Sequence, residues 1–172
     1  MSIPLRIVSV TDDLKDYLFG PRPSNLIGTE CRAVMRIDLG EPGYLFFGLT
    51  SCFDFVCDHM DELLFSDGIN VVVELLPKGS VLGDHVQFHP LVGLQRLPEA
   101  LEDLDYDEHR IGGGSYWLIE HPDPSLKLIA QLAFPDHRDL LLNLNWPTGE
   151  CTIEVFYHEK RAVYAVVWRM HA

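Results

Sequence analysis

The sequence predicts an α+β fold. One domain spans residues 1–172, with a mostly antiparallel sheet that ends in a C-terminal meander. Two or three helices, two of them acidic, pack on one face. Three observations predict it. Residues 30–39 alternate apolar and polar with a period of two, which suits a strand with one buried face. Cys52, Phe53, Val56, Cys57, Met60, Leu63 and Leu64 follow the spacing of an amphipathic helix. Strand-like runs then cluster after residue 115, joined by short segments rich in Pro, Asp and Gly, and helices early with strands late is the α+β order.

The elements follow in order. Residues 3–10 read as a first strand, and Thr11, Asp12 and Asp13 supply caps for a short helix reaching residue 19. Residues 20–25, rich in Gly and Pro, form a loop. Strand 30–39 and strand 44–49 are joined by Gly40, Glu41, Pro42 and Gly43, a connection short enough for an antiparallel hairpin. Thr50 or Ser51 caps the helix that runs to Phe65. Residues 69–76 are a central apolar strand, and 81–97 hold short β stretches. Pro98 opens an acidic segment to His109, predicted as one helix with Pro98 in the first turn. Gly112, Gly113 and Gly114 form a flexible joint. Strands follow at 116–120, 126–134, 140–146, 152–157 and 162–170.

Composition narrows the functional classes. Apolar residues make up 47% of 172 residues, enough for one sizeable core. The formal net charge of −13 repels phosphate backbones and anionic lipid, which argues against nucleic-acid and membrane partners. No apolar run reaches the ~20 residues of a membrane-spanning helix, and the first ten residues lack the basic region of a secretory signal. Cys31, Cys52, Cys57 and Cys151 form no CxxC pair; on a helix Cys52 and Cys57 lie about 140° apart. Reduced core thiols and a cytoplasmic location are the expectation.

The charge is not spread evenly. Residues 51–109 hold 13 acids against Lys78 and Arg96, a net −11, and the remainder of the chain is left at −2. The densest runs fall on the two predicted helices. Charge runs are ordinarily solvated helix faces; set side by side, these two would also form a face able to steer and dock a cationic partner. The residues assigned to it are Asp54, Phe55, Asp58, His59, Asp61, Glu62, Glu99, Glu102, Asp103, Asp105, Asp107 and Glu108, with Phe55 as an aromatic anchor among the acids.

Catalytic signals are sparse. His85 and His89 are spaced to meet on one face of a strand or helix and are the candidate metal ligands, with Asp84, His121 or His137 as a third. Cys52, at the predicted start of a helix, is a candidate nucleophile needing a base such as His85 or His121. The acid pairs Asp58 with Glu62 and Asp103 with Asp107 sit on exposed faces, where nothing lifts a carboxyl pKa. The triple glycine fits neither a P-loop nor a dinucleotide fingerprint, so no cofactor is expected. Arg110, a lone cation in an acidic region, is read as a structural partner for Glu108 or Asp107. Trp117, Trp146 and Trp168 fall on predicted strands and are read as core. The segment Val86, Gln87, Phe88, His89, Pro90 and Leu91, followed by an acidic stretch, is similar to part of the prolyl-tRNA editing domain family. The lysine region that precedes it there has no match in residues 1–80, so no function is carried over.

The reading carried forward is a non-enzymatic acidic binding module of the bacterial immunity or antitoxin type, inhibiting a basic protein. The alternative is a small metal-dependent or cysteine hydrolase using His85 and His89, with or without Cys52.

Overall fold

Among the described residues, backbone hydrogen bonding runs mostly between antiparallel strands. The computed structural model describes residues 3–8, 14–18, 22–23, 31–50, 59–66, 71–83, 92–98, 109–133 and 150–171. Its strands are β1 (Ile3–Val8), β2 (Asp16–Leu18), β3 (Arg22–Pro23), β4 (Cys31–Asp38), β5 (Tyr44–Thr50), β6 (Leu64–Phe65) and β7 (Val71–Leu76). They continue with β8 (Leu82–Gly83), β9 (Val92–Arg96), β10 (His109–Ile111), β11 (Leu126–Ala133), β12 (Glu150–His158) and β13 (Val163–His171). A single helix, α1 (Tyr116–Glu120), occurs among the described residues. The α+β expectation with two or three helices is therefore corrected to a mostly antiparallel β fold. No helix among the described residues is long and apolar enough to cross a membrane.

The chain forms two compact units. One comprises Ile7–Ser51 and Gly68–Gln95. Its strands run in the order β9, β2, β4, β5, β7, with β3 and β8 paired separately. The β4–β5 hairpin forms where the alternation predicts it, with Asp38 opposite Tyr44 and Met35 opposite Phe47. Met35, Ile37, Leu45 and Phe47 are all buried. The turn closes because Gly40 and Gly43 adopt φ of 84° and 119°, and Leu39 N–H reaches the Gly43 carbonyl at 2.9 Å. The helix predicted before residue 19 is instead strand β2 at residues 16–18. It lies between β4 and β9, which satisfies its backbone on both sides while Tyr17 and Leu18 become core.

Polar contacts tie this unit together. Asp16 Oδ1 accepts the Asp38 N–H at 2.9 Å, and Lys78 Nζ lies 3.1 Å from Asp38 Oδ1. The Arg36 guanidinium stacks 4.2 Å from the Tyr17 ring centre and 4.1 Å from that of Tyr44. It also donates to the carbonyls of Leu14 at 2.6 Å and Lys15 at 3.0 Å. The charge of this half-buried arginine is thus spread over two π faces and two carbonyls.

The other unit comprises Met1–Arg6, Cys52–Asp67 and Arg96–Ala172. Its strands run in the order β6, β13, β12, β11, β10, β1. Strands β12 and β13 pair over nine residues each, from Glu150 opposite His171 to His158 opposite Val163. One face carries a core of Trp117, Leu126, Leu128, Phe156, Ala165 and Val167, with Leu63, Phe65 and Leu118 packed against it. Each large side chain so buried contributes about 1.5–3 kcal/mol.

Three further expectations are corrected here. The helix predicted to run to Phe65 gives way to a turn at residues 59–61 and strand β6, which pairs Leu64 with Val166 and Phe65 with Ala165. The edge of β13 supplies backbone partners, and Leu63 and Phe65 point into the core with the period of a strand. His109, predicted to end the acidic helix, begins β10. Residues 116–120, predicted as a strand, form α1, because Ser115 caps it: its Oγ accepts the Leu118 N–H at 3.3 Å. Residues 51–58, 99–108 and 140–146 lie outside the described residues.

Candidate acidic interface

A cluster of charge is assembled from three places in the second of these units. The turn at residues 59–61 ends with Asp61 at φ 58°, a left-handed conformation that a short polar side chain tolerates better than most. The Asp61 N–H donates to the Trp168 carbonyl at 2.8 Å, which pins the turn to β13. One residue along β13, Arg169 receives Asp61 Oδ1 at 3.5 Å from its Nε. Arg169 Nη2 donates to Glu120 Oε1 and Oε2 at 3.0 and 2.9 Å, and Glu120 is the last residue of α1.

Exposure separates the partners. The Arg169 side chain is 13% exposed, whereas Asp61 and Glu120 are 63% and 54% exposed. Glu62, next in the chain, is also 54% exposed, and its Oε2 lies 2.8 Å from His59 Nδ1. One mostly buried cation therefore sits behind an exposed set of carboxylates, and the surface keeps an excess of negative charge. Exposed pairs of this kind add at most about 1 kcal/mol to stability. Their field outlasts the pairing and acts on a charged partner at a distance.

Behind this surface lies a buried polar row. Registers place Arg110 opposite Gln131 and Gln131 opposite Glu154, across β10, β11 and β12. All three side chains are essentially fully buried. Arg110 donates to Gln131 Oε1 at 2.9 Å and to the Gly112 carbonyl at 2.8 Å. Ser115 Oγ donates to Glu154 Oε2 at 2.6 Å, and the Tyr116 N–H donates to Oε1 at 3.2 Å. Burial pushes the Glu154 pKa above its ordinary value, although the Ser115 hydroxyl, the Arg110 charge, the Trp117 backbone and the Arg169 charge all pull it down.

A carboxyl with a raised pKa is a candidate general acid. Here its two oxygens are taken by Ser115 and Tyr116, and it has no exposure. The Ser115 hydroxyl likewise gives its proton to Glu154 and accepts from Leu118. The arrangement holds α1 on the sheet rather than presenting a nucleophile.

Of the residues predicted for the partner face, His59, Asp61 and Glu62 are described and are exposed or half-buried. Asp54, Phe55, Asp58, Glu99, Glu102, Asp103, Asp105, Asp107 and Glu108 lie outside the described residues, as do Cys52, Asp84, His85, His89 and His137. His121 stacks on Trp117, with ring centres 3.9 Å apart. Among the described residues no group of three or more His, Cys, Asp or Glu is placed to hold a metal ion. Sequence reasoning missed Glu120 and Arg169. A lone arginine on β13, in step with the buried Ala165 and Val167, was the available signal that an acid must meet it.

The fold and this cluster define a mostly antiparallel β protein with an acidic surface. No family model matches the chain, and no curated protein or solved structure matches it.

Proposed function

We propose that the protein is a non-enzymatic binding module that docks a basic protein partner through its acidic surface, in the manner of an immunity or antitoxin-type inhibitor. The observation that carries this reading is the net −11 within residues 51–109, against −2 for the rest of the chain. The exposure of Asp61 and Glu62, and the meeting of Asp61 with Glu120 at Arg169, supports it: the acidic stretch and a distant acid share one surface. Such a surface accelerates encounter with a cationic partner and is weakened by salt.

Affinity capture at low and high salt, followed by reconstitution with the purified captured protein, tests the reading. A basic protein bound directly at low ionic strength and released at high ionic strength is the expected result. Binding only to neutral or acidic proteins, or no binding at low ionic strength, overturns it.

A further inference from the structure

Strand β7 is the last strand of its sheet, and among the described residues β5 is the strand it pairs with. The turn before β5 fixes which way its backbone points. A Cβ on Gly43 would fall on the Leu76 carbonyl oxygen, so that carbonyl is aimed at β5. In an antiparallel pair both polar groups of a residue point to one side, and the side alternates along the strand. Leu76, Glu74 and Val72 therefore bond towards β5, and Val71, Val73 and Leu75 turn their N–H and C=O groups away from it. Such an edge is a template for another strand. Proteins ordinarily blunt it with a short strand, a proline, a bulge or a lysine. The β6 edge is only two residues long. Strand β7 runs six residues, has Glu74 as its single charge and no proline, and keeps an unshifted register against β5. Leu75 on it is 37% exposed. Little charge surrounds it: its unit, Ile7–Ser51 with Gly68–Gln95, holds eight acids and five bases, a net −3 of the total −13.

We propose that β7 is a self-association edge: two copies of this chain pair their β7 strands antiparallel, about a two-fold axis at Val73. Outward-facing residues must meet outward-facing residues, which limits the slide between the strands to steps of two. With the axis at Val73, Val73 stands opposite the second copy's Val73 and Val71 opposite its Leu75, so each outward pair is aliphatic. Glu74 then stands opposite the second copy's Val72, and the two carboxylates are kept apart. One step in one direction moves the axis to Glu74 and sets the two Glu74 residues against each other, a destabilising like-charge pair. One step in the other direction moves the axis to Val72 and shortens the overlap to Val71–Val73. The strand is self-complementary in a single register, and a two-fold interface requires that of it. The proposal rests on the backbone of β7 rather than on the partner reading, since Asp61, Glu62, Glu120 and Arg169 belong to the other unit.

Sedimentation equilibrium of the intact protein from about 1 to about 300 µM tests it, because so short an edge buries less than a standard interface and gives a weak dimer. The mass is expected to rise from monomer towards dimer across that range. Leu75→Lys, which places a charge on the edge, is expected to weaken dimerisation at least about tenfold. Val73→Cys under mild oxidation is expected to give a disulfide-linked dimer, since paired Cα atoms at the axis lie about 5.5 Å apart. Leu75→Cys is expected to stay unlinked, because the same register holds its two copies about 13 Å or more apart. Peptide mapping separates the introduced thiol from Cys31, Cys52, Cys57 and Cys151. The two thiol variants decide the matter even if Leu75→Lys fails to fold. A monomer throughout the range, a dimer untouched by Leu75→Lys, no cross-link in Val73→Cys, or equal cross-linking of both thiol variants overturns the proposal.

Discussion

Arg169 Nη2 reaches both carboxylate oxygens of Glu120, at 3.0 and 2.9 Å, across 49 residues of sequence. The contact joins β13 to the end of α1, and Asp61 meets the same guanidinium from the turn before β6. Because Glu120 is half exposed and Arg169 is not, the two partners differ in what their loss costs. Glu120→Gln is expected to destabilise the protein by at most about 1 kcal/mol in urea unfolding, and by less at high salt. Arg169→Ala is expected to cost about 2 kcal/mol or more, through lost packing as well as lost charge. Equal and small losses for both would contradict the burial of Arg169.

The β4–β5 turn gives a second prediction. Gly40 and Gly43 both have positive φ, but a Cβ at Gly40 meets nothing within 4 Å, whereas one at Gly43 would fall on the Leu76 carbonyl oxygen. Gly40→Ala is expected to cost about 1 kcal/mol, the left-handed penalty alone. Gly43→Ala is expected to cost about 2–4 kcal/mol, since the backbone of β7 must move as well. Urea midpoints of the two variants measure the difference.

Ala162, exposed in the turn between β12 and β13, has φ 52°. A non-glycine residue there is strained by about 1–2 kcal/mol, of which glycine's greater freedom in the unfolded chain takes back about half to all of one. Ala162→Gly is expected to stabilise the protein by a few tenths to about 1 kcal/mol. Thermal unfolding of the single variant checks it.

Tyr17 links stability to alkaline pH. Burial pushes its phenol up to about 12, against the pull of the Arg36 charge and hydrogen bond. The folded state then holds the phenolic proton more tightly than the unfolded state. The corresponding stability is present below the ordinary value of 10.0 and is lost as pH rises through about 12. Tyr17→Phe is expected to remove that alkaline loss. Urea midpoints of both proteins between about pH 9 and pH 11.5 compare the two slopes.

The strands that bury side chains in regular alternation were legible in the sequence: β4, β5, β11, β12 and β13 fall on predicted runs. What defeated the reading was structure decided by distant partners. Residues 64–65 have helical spacing with Met60 and Leu63, yet the edge of β13 captures them. Asp16, Tyr17 and Leu18 follow good caps, yet two flanking strands claim their backbone. Residues 116–120 look like a strand because Tyr116 and Trp117 are aromatic, and only the local Ser115 cap and the buried Glu154 make them a helix. The acidic site was partly legible. Asp61 and Glu62 belong to a run visible in the sequence, whereas Glu120 joins them through an arginine that only the fold brings near.

Charge reversal against a defined partner tests directly whether the acidic surface docks a basic protein. With the basic protein recovered by low-salt capture, calorimetric titration compares the wild type with variants carrying Lys at Asp54, Asp58, Asp103 and Asp107, and with a separate Glu62→Lys. Affinity is expected to fall steeply with salt in the wild type and at least about tenfold on charge reversal, with Glu41→Lys, outside residues 51–109, unchanged. Affinity that is indifferent to both salt and reversal would contradict it.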